Sequence, residues 1–319
     1  MYIMKLVPVV KDYIWGGTRL RDEYGIESPY ERTAEAWMLS CHPDGRVKVG
    51  NGEHEGKSLP KVLTMHPEYM GTHARNFSMF PVMIKLIDAH DNLSLQVHPD
   101  DEYALAVDND QGKHELWYII DCDEDSEIIY GFREELTQEE FKRAIEDGTI
   151  LVSVEHFKPK KGDVFNIEAG TIHAIGKGIL LAEVQQNSNA TYRVYDYDRT
   201  DAEGNRRQLH ISKAIDVTIT TPPTIPPGAM SPPEDVEAHT QTLLGTCEYF
   251  NTTLVETYMP THIQVDDDSF ACVLMVEGSA KFYAGDNDIE LNKGECAFIP
   301  AGTGKVTVNG QSKFILTKI

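Results

Sequence analysis

The chain has 319 residues, 41% of them hydrophobic, which is enough to bury a sizeable core and fits two domains or one large β-domain with insertions. Fifty-one acidic residues against 29 basic ones give a formal charge of −22, a field that repels phosphate backbones and anionic lipid and so argues against nucleic-acid and membrane partners. No apolar run approaches the roughly 20 residues that span a bilayer.

Residues 1–15 contain only a short apolar run at 6–10, followed at once by Lys11 and Asp12, so no signal peptide is expected. A short helix is predicted over 60–65, entered by Ser58, and a strand over 81–87. Helix-like spacing follows at 100–107, then strands at 116–120 and 127–131. Thr137-Gln138-Glu139-Glu140 is a capping box with Phe141, Ala144 and Ile145 at helical spacing behind it, and Gly148 closes the segment. A strand over 163–167 and a helix over 211–217 come next. Further strands are read at 271–276, 280–283, 295–299 and 314–316. Short strands at this spacing, rich in β-branched and aromatic residues, point to a mainly β fold.

The run TPPTIPPGAMSPPED at 221–235 holds six prolines and can be neither helix nor central strand. It is expected to divide a larger domain, 1–221, from a smaller one, 236–319, with 222–235 as the connector. An internal echo supports two related β-domains. Residues 162–173 read Gly, acidic, an apolar strand, then Ala-Gly-Thr and His173. Residues 294–305 repeat that order but end on Lys305, so the second copy is expected to have no metal site. The five cysteines are scattered, with no CxxC pair, which fits free core thiols in a reducing cytoplasm.

Gln96 and His98 stand two apart and share one face of a strand, Glu115 opens the strand at 116–120, and His173 follows the Ala-Gly-Thr turn. Amide, imidazole and carboxylate brought together would suit Zn²⁺, Mn²⁺, Fe²⁺ or a similar ion, with a position left open for water or substrate. Ser94 falls on the same face as Gln96 and His98. Lys85 is a charge inside an apolar strand, and a solvent-facing edge position would explain it. By spacing alone Arg193 is an ordinary ion-pairing residue. The remaining histidines read as structural or solvated.

The segment 162–173 resembles the second cupin motif. Gln96-Val97-His98-Pro99-Asp100-Asp101 with Lys113-His114-Glu115 resembles the elaborated first motif of the type I mannose-6-phosphate isomerases. The likeness extends through Tyr13-Ile14-Trp15-Gly16-Gly17, Ala34-Glu35-Ala36-Trp37 and 185–193, and it is nearest to the short bacterial members. Glu168 and Lys177 depart from the general cupin pattern, which often has Pro and Asn there; the second departure is consistent with Glu115 completing the site. The resemblance implies two cupin-type β-barrel or jelly-roll domains with a few short helices. It also implies one Zn²⁺ per chain on Gln96, His98, Glu115 and His173, a phosphate site that includes Lys85 and Ser94, and a catalytic Arg193. The implied activity interconverts D-mannose 6-phosphate and D-fructose 6-phosphate through a metal-stabilised cis-enediolate. A hexose 6-phosphate is then the partner, and the chain is expected to be a monomer or weak homo-oligomer. Either Lys113 or Glu183 could carry the proton. A metal-dependent oxygenase on the same fold and a non-catalytic sugar-phosphate-binding bicupin are the competing expectations.

Overall fold

Side-chain chemistry close in sequence sets the helices. In the computed structural model, which describes residues 1–200 and 204–319, Thr137 accepts from the Glu140 backbone N–H at 3.2 Å. The Glu140 carboxylate accepts from the Thr137 N–H at 2.8 Å, so the capping box starts helix Gln138–Glu146. Phe141 on that helix packs edge-on to Phe132, ring centres 5.5 Å apart. Asp100 caps helix Asp101–Asp108 through the Tyr103 N–H, and Asn109 ends it in a left-handed conformation. Helices Leu59–Met65 and Ile211–Val217 complete the four that the sequence predicts.

Contacts divide the chain into two compact units: residues 1–11, 18–86 and 229–319 form one, and residues 12–17 and 87–228 the other. The division at 228/229 therefore falls inside the proline-rich segment, while residues 18–86 group with the carboxy-terminal strands. Strand Val82–Ala89, buried along its whole length, carries the chain across the 86/87 division.

In the first unit an eleven-stranded sheet includes strand Met4–Val7, which pairs with Cys296–Ile299 in the register Met4↔Phe298. The two stretches predicted as separate strands at 271–276 and 280–283 form one strand, Ala271–Ala284. A bulge between Met275 and Glu277 lets its first half pair with Ser312–Lys318 and Cys296–Ile299 and its second half with Asn287–Asn292. Gly278 sits there at φ 71°, and a Cβ would lie 2.3 Å from the Gln311 carbonyl oxygen. Val273, Met275, Phe282, Ala297 and Phe314 fill the core of this sheet.

The second unit holds a five-stranded sheet in the order Tyr192–Tyr195, Leu95–Val97, His173–Ile175, Ile128–Phe132, Val154–Phe157. It also holds the antiparallel run Val164–Ile167, Glu115–Cys122, Ile179–Gln186. Leu95 and Val97 face a core with Phe132, Phe141, Ile172 and Val194, so the alternate residues of that strand face the other way. The fold is mainly β as expected, but the sheets are open rather than closed barrels. The eleven-stranded order, for example, ends on strands of only three and two residues, Glu234–Val236 and Lys48–Val49, which do not pair with each other.

The internal echo has the same geometry twice. Gly162 and Gly294 have φ 92° and 84°, Gly170 and Gly302 have φ 85° and 76°. Thr171 and Thr303 each donate a backbone N–H to the carbonyl three residues earlier. After the turn, His173 is buried, whereas Lys305 is exposed opposite Gln264.

Candidate metal centre and active site

Sheet register brings distant residues into one row. Gln96 lies directly opposite His173 on one side and Arg193 on the other. Directly opposed residues project to the same face. Glu115 opens its strand opposite Ile167 and Gln185. His98, Glu115 and His173 are each at most 1% exposed, and one ligand atom from each lies within 4.8 Å of the others. His98 Nε2 is 3.2 Å from Glu115 Oε1, and His173 Nε2 is 3.7 Å from Oε2. The two Nε2 atoms are 3.1 Å apart, and Gln96 Nε2 is 3.4 Å from that of His173.

The far sides of the imidazoles fix their tautomers. His98 Nδ1 donates to the Ala190 carbonyl and His173 Nδ1 to the Thr171 carbonyl, each at 2.8 Å. The Nε2 lone pairs of the neutral rings therefore point at one another and at Glu115. Burial first, then the Lys113 ammonium, pushes His98 down to about 3 against the pull of Glu115. Burial likewise lowers His173. Burial would raise Glu115, but Lys113 and His98 outweigh it and hold the carboxyl well below its usual range. Oε1 of this wholly buried carboxylate has Lys113 Nζ at 2.5 Å as its counter-charge, while Oε2 has no hydrogen bond. Two converging lone pairs and a buried carboxylate with one oxygen lacking a hydrogen bond fit a cation at their centre. Turning the Gln96 amide over would add its oxygen to the set.

Of the two proton-carrier candidates, Lys113 is 4% exposed and also 3.3 Å from His98 Nε2. Glu183 is 2% exposed and accepts from Trp117 Nε1 at 3.0 Å. The Trp117 ring stands edge-on to His173, centres 5.4 Å apart. Trp117 had no role in the sequence reading, although its place two residues after Glu115 on a strand puts it on the same face. Ser94 Oγ donates to Gln96 Oε1 at 3.4 Å. Arg193 is half-buried, and its guanidinium is perturbed downward by burial and by Arg207.

Lys85, in the other unit, is not the solvent-facing lysine that its strand position would allow. It is 4% exposed, 3.7 Å from Glu35 Oε2, with its ammonium 5.5 Å from the Trp37 ring centre. Trp37 Nε1 donates to the same Glu35 oxygen at 2.7 Å. Glu35 and Trp37 stand in a motif carrying the family resemblance, but that motif gave no role for either.

Two family models match the chain: "Phosphomannose isomerase type I, catalytic domain" over residues 3–143 and "Mannose-6-phosphate isomerase, cupin domain" over residues 239–319. A mannose-6-phosphate isomerase of Bacillus subtilis (strain 168) is 39% identical over 313 residues, 98% of this chain and 97% of that one. One from Streptococcus mutans is 38% identical over 90% of this chain and 89% of its own. A crystal structure of the mannose 6-phosphate isomerase from Bacillus subtilis superposes with a TM-score of 0.92 at 36% identity, covering all of both chains.

Proposed function

Because this chain belongs to the type I phosphomannose isomerase family, we propose that it interconverts D-mannose 6-phosphate and D-fructose 6-phosphate at the His98, Glu115 and His173 centre. The observation that carries the reading is the convergence of two imidazole lone pairs on one buried carboxylate. Gln96, His98, Glu115 and His173 would hold one Zn²⁺, an ion suited to a mixed nitrogen and oxygen donor set. When bound, such an ion draws negative charge from the oxygens of the cis-enediolate that lies between aldose and ketose.

The remaining work falls to side chains. Glu183 takes the proton from C2 of the aldose and returns it to C1. Lys113, ion-paired to Glu115, lends a proton to one sugar oxygen and recovers one from the other. Arg193 donates to the oxygen on which charge grows. Ser94 takes the phosphate, so that binding energy remote from C1 and C2 orients the reacting carbons. Ser94→Ala should therefore raise KM about tenfold or more while kcat changes little, in steady-state kinetics with mannose 6-phosphate. Five free thiols support placement in a reducing cytoplasm.

A coupled assay of mannose 6-phosphate turnover before and after chelation, with metals added back singly, tests the whole reading. Loss of turnover on chelation and its return with zinc is the expected result. Full activity in a chelated, metal-free sample would exclude a metal role.

A further inference from the structure

Asp196 ends the strand that bears Arg193, and it is 5% exposed. Its carboxylate accepts three charged hydrogen bonds: from Arg199 Nη2 at 2.5 Å, Arg207 Nε at 2.8 Å and Arg207 Nη2 at 2.5 Å. Arg199 also donates Nη1 to the Asn92 carbonyl, two residues before Ser94. The turn that lets these groups meet is left-handed at Tyr197 and Asp198, φ 55° and 53°, a conformation such residues adopt only when their surroundings impose it.

Arg193 is different. Among the described residues its guanidinium pairs with no carboxylate, although Asp196 is the acidic group whose field it feels most and Arg207 the cation. With Asp91 3.8 Å from Arg199 Nη1, the two guanidiniums on Asp196 are balanced, and Arg193 leaves the cluster one net positive charge. In a chain of formal charge −22, that is a local reversal of sign suited to a dianionic substrate.

We propose that Arg199 and Arg207 are positioning residues that occupy Asp196, and so keep Arg193 unpaired for an oxygen of the substrate. A mere staple for the turn would need no particular charge balance. Occupation of Asp196 predicts that removing a guanidinium is worse than removing the carboxylate with it. The role of Arg193 in sugar-phosphate turnover rests on the function proposed above; its pairing state does not.

Arg207→Gln frees part of Asp196 to turn to Arg193. Labelling of the folded full chain with phenylglyoxal, mapped by peptide mass spectrometry, should then modify Arg193 about fivefold more slowly than in the unaltered chain. Its kcat should fall about tenfold, with KM changed by less than about twofold. The double variant Asp196→Asn/Arg207→Gln should restore the labelling rate and recover most of kcat. Where thermal melts show Arg207→Gln to be unfolded, Arg207→Lys replaces it, with a smaller change in the same direction. An Arg193 labelling rate that Arg207 substitution leaves alone, or a slowing that persists in the double variant, overturns the proposal. A chain that labels as expected but turns over no mannose 6-phosphate overturns the isomerase reading instead.

Discussion

His98→Ala should abolish stoichiometric metal binding and lower kcat by about 10³-fold or more. The substitution removes one of two Nε2 donors that meet at 3.1 Å, and the remaining set loses the ring fixed by the Ala190 carbonyl. The Lys113 ammonium, already 2.5 Å from Glu115, then becomes the main counter-charge of that carboxylate. Elemental analysis of the purified variant and the coupled assay read the two effects separately. Metal content and rate both equal to those of the unaltered chain would remove the ion from the mechanism.

Glu183→Gln should lower kcat by about 10²–10⁴-fold with metal content unchanged, the range expected when a positioned general base is lost. The amide keeps the size of the side chain and an oxygen for the Trp117 Nε1–H, now 3.0 Å from the carboxylate. What it loses is the capacity to hold the proton taken from carbon. Exchange of the C2 hydrogen with deuterated water should stop along with turnover. Retention of exchange and of a rate within about tenfold would transfer the proton-carrying role to Lys113.

Much of the site was legible because strands translate spacing into facing. Ser94, Gln96 and His98 alternate, and the capping box at Thr137 states its own helix boundary. The turn chemistry that repeats at 162–173 and 294–305 is local, and it reappears as a positive φ at both paired glycines of each copy. The row Arg193, Gln96, His173 was not legible, since register between distant strands depends on which partners close the sheet. The same limit applies to Asp196: a carboxylate three residues after Arg193 invites an ion pair with it, yet Arg199 and Arg207 take the carboxylate instead. The gap between 276 and 280 read as a turn because Gly278 is a turn residue; a bulge uses glycine for the same backbone freedom without ending the strand.

Strand Met4–Val7 hydrogen-bonds to Cys296–Ile299, so it must wait for a partner synthesised much later. Residues 87–228, a nearly continuous stretch, face no such delay and can fold while synthesis is still in progress. A messenger truncated shortly before codon 296 would thus yield a polypeptide with His98, Glu115 and His173 all present and strand Met4–Val7 left with a bare, adhesive edge.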